Sequence, residues 1–340
     1  MSEQHPYRAT IVPVSNETPR PLWSVMIPTY NCANYLRETL ASVLAQDPGA
    51  DVMQIEVIDD CSTKDDPKAV VEELGRGRVT FYRQPANIGY IRNFETCLQR
   101  SRGKLIHLLH GDDCIRDGFY RKMQRAFEQN LNIGAAFCRH IFMDQNSHWQ
   151  FLSPLEQPKS DILSNWLEQI AMQQRIQTPS IVVRRNVYEQ LGGFDRRFSC
   201  WCEDWEMWIR IAAHYPVWYE VEPLALYRKS STSLTGESLR TGKNIQDFRK
   251  ASEMVREYLP KQRANQITQK ALNCYAFFAL DCATELAAKG DTYGAINQMK
   301  EALMCKLSFK LILLILKLSI KLIYRNSLDK IRNFNLNYIS

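Results

Sequence analysis

The run Leu105-Ile106-His107-Leu108-Leu109, followed at once by His110-Gly111-Asp112-Asp113, reads as a short buried strand that ends in two adjacent carboxylates. The same figure recurs upstream. Ser24–Ile27 runs into Pro28-Thr29-Tyr30-Asn31, Gln54–Ile58 into Asp59-Asp60-Cys61-Ser62, and Val79–Tyr82 towards Asn87-Ile88-Gly89. Helical spacings lie between and after these runs: Leu36, Leu40, Val43 and Leu44 share one face, and Tyr90–Gln99 and Asp117–Gln129 follow the same period. Short apolar runs alternating with helices predict an α/β sheet with crossover helices. In such a sheet ligands bind beyond the carboxyl ends of the strands, which is where the carboxylates and small polar residues gather.

After Gly134 the alternation weakens, and Asp144–Ser160 reads as a polar, variable loop. Order returns with a strand at Ser180–Val183, a short helix at Asn186–Leu191, a turn at Gly192-Gly193-Phe194-Asp195 and a helix opening at Glu203-Asp204. From Gly242 onward only helical patterns appear, with Ala271–Ala288 and Tyr293–Leu303 separated by Gly290-Asp291. One hairpin is not a repeat array, and its role stays open between packing on the catalytic domain and self-association into a homo-oligomer. The expected organisation is a lead-in over 1–21, an α/β domain over 22–241, a helical hairpin region over 242–304, and a basic amphipathic helix and tail over 305–340.

With 45% apolar and 24% charged residues in 340, the chain has the composition of a globular protein large enough for one main domain and an appendage. A net charge of +6 is too small for a nucleic-acid partner. The ten cysteines show no CxxC pair, which suits a reducing cytosol. The N-terminus has no basic start and apolar stretch of a signal peptide, and the first ~20 residues are expected to be loosely ordered. Between Lys300 and Arg332 many Lys and Arg face only Glu301 and Asp329, which points to a local anionic partner. Lys306, Lys310, Lys317 and Lys321 fall within ~60° of one another on a helical wheel. The uncharged run Leu311–Leu316 is far below the ~20 residues that span a bilayer. The Lys306–Arg325 region therefore reads as an in-plane helix on an anionic membrane surface, or as a helix packed on the protein with snorkelling lysines. On the first reading the protein is cytoplasmic and peripheral to the inner face of the plasma membrane.

Each acidic group has two readings. Asp112 and Asp113 suit a hard divalent cation bridging a diphosphate, or a turn and helix cap. Asp59 and Asp60 suit hydrogen bonds from a base or ribose, or again a turn. Glu203, Asp204 and Glu206 are more acids than a helix start needs, and one could serve as general base. Trp201, Trp205 and Trp208 could stack on a sugar or belong to the core.

Taken in order from Trp23 to Ser233, these motifs resemble the family-2 inverting glycosyltransferases of the GT-A fold. The resemblance implies a Rossmann-like mixed α/β sheet flanked by helices, with the all-helical segment as a C-terminal extension. It implies a nucleoside-diphosphate-sugar donor, a UDP-sugar being favoured, held by Pro28, Tyr30, Asn31 and Asp60, with Asp59 and Asn87 beside them. Asp112 is then the ligand of Mn2+ or Mg2+, Asp113 orients the donor sugar or supports the metal, and Asp204 activates the acceptor hydroxyl. Without a Gln-x-x-Arg-Trp motif after Glu203, single-sugar transfer to a glycan or lipid-linked acceptor is expected, in surface polysaccharide or glycoconjugate synthesis. Two positions depart from the family pattern: His110 stands where an Asp often opens the acidic triplet, and Ser230 where a histidine often follows Arg-Lys. These departures keep a catalytically degenerate nucleotide-sugar-binding scaffold in view. A nucleotidyltransferase has less support, because no Gly-rich phosphate loop with an adjacent Lys is present.

Overall fold

In a computed structural model, residues 5–15, 20–229 and 234–336 are described. In chain order the elements are β1 Trp23–Thr29, α1 Ala33–Leu44, β2 Met53–Asp59, α2 Pro67–Gly75, β3 Thr80–Arg83, α3 Tyr90–Arg100, β4 Leu105–Leu108, β5 Cys114–Ile115 and α4 Phe119–Gln129. There follow β6 Ala135–Met143, β7 Trp149–Leu152, β8 Asp161–Ile162, α5 Trp166–Met172, β9 Ile181–Arg184, α6 Arg185–Leu191, α7 Glu203–His214 and β10 Val217–Arg228. The chain then continues as α8 Leu234–Thr241, α9 Lys243–Met254, α10 Lys261–Ala288, α11 Thr292–Cys305 and α12 Phe309–Leu336. It divides into two compact units, one of residues 1–170, 174–198 and 203–230, the other of 171–173, 199–202 and 231–340.

The first unit is built on one mixed sheet in the order β3-β2-β1-β4-β9-β6-β10-β5, with β7 added to β6 and β8 to β10. β3, β2, β1 and β4 are parallel. β9 runs antiparallel to both β4 and β6. Every residue of β1 and β2 is buried, as expected of central strands covered on both faces. The polar residues among them are paired: Ser24 Oγ donates to Gln54 Oε1 at 2.6 Å, and Gln54 Nε2 to Glu56 Oε2 at 3.0 Å. Arg100 then meets Glu56 at 2.5 Å, so no buried polar face is left to collapse.

Two expectations need correcting here. The weakening after Gly134 hides β6, nine residues whose seven buried members include Ala135, Ala136, Cys138 and His140. These are small or polar side chains that fit against β9 and β10 without announcing a strand. The lead-in is also not loose where it is described: Ala9 and Ile11 are buried, Gly193 N donates to Ala9 O at 2.8 Å, and Arg8 pairs with Asp195 and Glu206. The Gly192–Asp195 turn is thus a docking point for residues 7–9, and Gly192 meets its positive φ of 77° without strain.

The second unit is helical. α10 and α11 form the expected hairpin, with Asp291 capping α11 through a hydrogen bond from Gly294 N at 3.0 Å. α12 starts at Phe309 rather than near residue 305, because Lys306 is extended at φ −155° and Ser308 O and Oγ accept from Ile312 N and Leu311 N. None of the ten cysteines is paired in a disulfide. No helix among the described residues is long and apolar enough to cross a membrane.

At Gly103 an added Cβ would lie 2.4 Å from the Trp23 carbonyl carbon and 2.5 Å from Ser24 N, which are backbone atoms of β1 and cannot swing aside. Gly103→Ala is expected to lower stability by at least the ~1–3 kcal/mol typical of overpacking, read as a lower urea midpoint with unchanged slope. A wild-type midpoint would contradict this account of the β1–β4 entry.

Candidate active site

The direction of strand addition reverses between β1 and β4: β2 and β3 are laid down on one side of β1, and β4 on the other. A crevice opens beyond the carboxyl ends at such a point. β1 delivers Pro28, Thr29, Tyr30 and Asn31 to it, and β4 delivers His110, Gly111, Asp112 and Asp113. The two ends are held together, since Leu109 N donates to Met26 O and Gly111 N to Pro28 O, both at 3.0 Å. Position 111 is crowded, since a Cβ there would lie 2.9 Å from Thr29 Oγ1, 3.0 Å from Thr29 Cβ and 3.1 Å from Cys32 Sγ.

Beyond Gly111 the chain turns into β5, which pairs antiparallel with the end of β10. That pairing carries Asp113 Oδ1 onto the backbone N–H of Arg228 at 2.8 Å. Arg228 Nε in turn donates to Asp112 O at 2.8 Å. His110, Asp112 and Asp113 bring one ligand atom each to within 4.8 Å of one another. Burial raises both carboxyls above the ordinary range, and the Asp112 charge raises Asp113 further. Asp113 Oδ2 and His110 Nε2 are buried with no hydrogen-bond partner. Burial also lowers the His110 imidazole to about 4, so it is neutral and offers a lone pair. Two oxygen donors that repel each other and a neutral imidazole, with unsatisfied atoms in one place, fit a divalent cation. His110 at the departing position thus contributes to the cluster, and Phe94 stacks on its ring at 4.9 Å.

The other expected donor residues divide by exposure. Tyr30 is 46% exposed and stands free at the mouth. Pro28 is buried within β1. Asn31, at φ 52°, accepts from Thr63 N and Lys64 N through Oδ1 and so ties the end of β1 to the loop after β2. Asp60 is buried, and its two oxygens accept from Ile88 N at 2.9 Å and Gly89 N at 3.1 Å. Asn87 is exposed on that same loop. Asp59 is fully buried, bonded by Ser62 N, Ser62 Oγ and Arg83 Nη1, and presents no carboxylate edge to a ligand. Asp59 and Asp60 thus both hold backbone turns, and these turns shape the loops that carry Asn31 and Asn87.

α7 brings three carboxylates that differ sharply. Glu206 is fully buried between Arg8 and Arg210, a structural ion pair. Glu203 is nearly buried and accepts from Tyr90 Oη at 3.2 Å. Asp204 alone is partly exposed, its oxygens steadied by Gln174 Nε2 at 2.8 Å and Trp205 N at 2.6 Å. Burial, outweighing these hydrogen bonds, raises it to about 6. The phenol of Tyr227, near the end of β10, joins this group to the other: after burial, Asp113, Asp112, Asp204 and Glu203 all push it above its ordinary range. Of the three tryptophans, Trp205 and Trp208 are core, and Trp201 is half-buried, donating to Ser238 Oγ at 2.7 Å and packing on the Phe248 ring. Gln174 carries no motif that a sequence reading could find, whereas Tyr227 opens the Tyr227-Arg228-Lys229-Ser230 stretch that differs from the family pattern at Ser230. Ser230 lies outside the described residues.

The profile of glycosyl transferase family 2 matches residues 24–192, the segment that carries these strand ends and the His110–Asp112–Asp113 cluster. This segment is a family 2 glycosyl transferase domain. Relatives are distant: an uncharacterized protein of Mycobacterium tuberculosis is 29% identical over 69% of this chain and 75% of its own length. An uncharacterized glycosyltransferase of Mycoplasma genitalium is 29% identical over 39% of this chain and 44% of its own. Among solved structures, S. aureus TarS in complex with UDP-GlcNAc superposes with a TM-score of 0.62 at 16% identity, covering 86% of this chain and 83% of that one. The mannosyltransferase of Pyrobaculum calidifontis in complex with GDP-Man and Mn2+ gives 0.55 at 15% identity, over 95% and 85%. At such identities the shared property is the GT-A fold.

If the cluster of this glycosyl transferase domain holds a cation, Mn2+ titration followed by electron paramagnetic resonance should show binding weakened about tenfold or more, ~1.4 kcal/mol, by Asp112→Asn and by Asp113→Asn. Unchanged affinity in both variants would remove the cation from this place.

Proposed function

We propose that the chain is a metal-dependent inverting glycosyltransferase. It moves a single sugar from a nucleoside-diphosphate sugar, a UDP-sugar being favoured, to a hydroxyl of a glycan or lipid-linked acceptor in surface polysaccharide or glycoconjugate synthesis. The observation that carries this reading is the cluster at the end of β4, where His110, Asp112 and Asp113 bring ligand atoms together with Asp113 Oδ2 and His110 Nε2 buried and unpartnered, within the segment the family 2 profile matches. Support for the donor class comes from the family membership and from the ligands named for TarS and the mannosyltransferase, UDP-GlcNAc and GDP-Man.

In this reading Tyr30 and the 87–89 loop receive the nucleoside, with Asn31, Asp59 and Asp60 holding those loops in shape. Asp112, Asp113 and His110 hold Mn2+ or Mg2+, which when bound supplies positive charge for the departing diphosphate. Asp204 takes the proton from the acceptor hydroxyl as its oxygen bonds to the anomeric carbon. The bond to the nucleoside diphosphate breaks on the opposite face and its electron pair leaves with the phosphate oxygen, so the configuration inverts. The enzyme works at the inner face of the plasma membrane, attached through the Lys306–Arg325 region.

A panel of nucleotide sugars, assayed for nucleoside diphosphate release with acceptor extract and Mn2+, tests this directly. Asp204→Asn is expected to lower turnover by ~10²–10⁴, the usual contribution of a general base. Because Asp204 must be ionised to accept a proton and is raised to about 6, wild-type turnover should climb as pH rises through about 6 and then level off. Nucleotide-sugar binding without release would favour the degenerate scaffold, and release of pyrophosphate the nucleotidyltransferase.

A further inference from the structure

α12 turns an apolar face outward. At ~100° per residue, Phe309, Leu313, Leu316, Ile320 and Ile323 project within about 80°, and all five are exposed. The buried residues of the same helix, Leu311, Leu318 and Leu322, lie about 180° away. Ser319 Oγ contacts Met299 Sδ of α11 at 3.9 Å, and Lys310 Nζ lies 5.5 Å over the Phe277 ring of α10, so this helix is seated on the unit with its second stripe unused. A contiguous apolar row of this size on the surface marks an interaction site.

Lysines edge that row on one side only. Lys310, Lys317 and Lys321 fall about 80–120° from its centre, whereas the opposite flank holds Ile312, Ile315 and Ser319. Beside the lysine edge lies a groove of about 780 Å³, lined by Gln266, Lys270, Asn273, Phe277, Asp281 and Lys306, two lysines against one carboxylate. Lys310 covers the Phe277 ring in the same place. From Lys306 to Tyr324 the chain contains no carboxylate. A second copy of this helix would bring lysines against lysines with no acid on either to answer them. Anionic headgroups above an acyl layer answer both the charge and the apolar row.

We propose that α12 lies in the plane of an anionic lipid monolayer, its Phe309–Ile323 row among the acyl chains, and that the groove lined by Lys270 and Lys306 receives a phosphate headgroup of a membrane lipid. This deepens the membrane attachment above by naming the inserted face and the headgroup site. The lysine side tilts toward phosphate and the uncharged flank sits at the acyl boundary.

The test is flotation of the full chain with vesicles of phosphatidylcholine alone or mixed with phosphatidylglycerol, alongside nucleoside diphosphate release in lipid-free buffer. Leu316→Ser with Ile320→Ser should lower partitioning into both vesicles more than tenfold. Lys270→Gln with Lys306→Gln should leave phosphatidylcholine partitioning unchanged and cut the gain from phosphatidylglycerol by about thirtyfold, about fivefold per lysine. Both double variants replace surface groups and should keep wild-type helicity and wild-type nucleoside diphosphate release. The proposal falls if the wild-type chain floats with neither vesicle, or if the lysine variant keeps its full phosphatidylglycerol gain. It falls equally if the serine variant floats as before while light scattering shows a lipid-free dimer turned into a monomer, which would make a second copy the occupant. Lost flotation with intact nucleotide release would leave the transferase reading standing; lost release with intact flotation would do the reverse.

Discussion

The buried guanidinium of Arg228 is the constraint on which the site depends. It is 3% exposed and cannot be hydrated, so every donor must find a partner within the protein. Its Nε reaches Asp112 O, one terminal nitrogen reaches Asp144 O and Ser147 Oγ, and the other reaches Glu38 Oε2, while the plane lies 4.3 Å from the Tyr35 ring centroid. The backbone N–H of the same residue fixes Asp113. One residue at the end of β10 thereby sets the position of both carboxylates, although they lie more than a hundred residues earlier in the chain. Removing one partner from such a network leaves a desolvated charge, so the loop can hardly move alone.

That rigidity explains how two adjacent acids can be kept in a crevice where they repel. Burial disfavours the charge on each and the Asp112 charge disfavours that on Asp113 further, and the fold supplies no hydrogen bond to Asp113 Oδ2. A structure that merely needed a turn would have capped this oxygen, as it does at Asp59, where Ser62 and Arg83 occupy the carboxylate. Chemically similar Asp-Asp pairs after β2 and β4 therefore differ in their bonding: the first accepts hydrogen bonds that shape loops, and the second keeps a buried oxygen with no hydrogen bond.

Much of this was legible in the sequence, and the failures have physical causes. Strand ends at 28–31, 59–62 and 110–113 were readable because buried parallel strands are continuous apolar runs cut off abruptly by polar residues. β6 was not, since Ala135, Ala136, Cys138 and His140 owe their burial to neighbours and not to their own hydrophobicity. Nor could the sequence say that Asp59 would turn inward, because an Asx-type turn and a ligand contact ask for the same residue. Gln174 enters the site only through packing between distant segments, for which a single sequence carries no signal.

The acids of α7 sharpen the point. Glu203, Asp204 and Glu206 occupy one helical turn, yet ~100° per residue sends Glu206 about 200° around the axis from Asp204. There it meets Arg8 and Arg210, and its charge is used to fasten residues 7–9 and α7 to the Gly192–Asp195 corner. Asp204 faces the other way, where its shorter side chain is held by Gln174 and its own neighbour's amide, and burial, outweighing those hydrogen bonds, raises it to about 6. An ion pair like that of Glu206 would have lowered Asp204 and made it a poor base. One helical turn thus spends the Glu206 carboxylate on holding the fold together and leaves the Asp204 carboxylate beside it half-buried and raised.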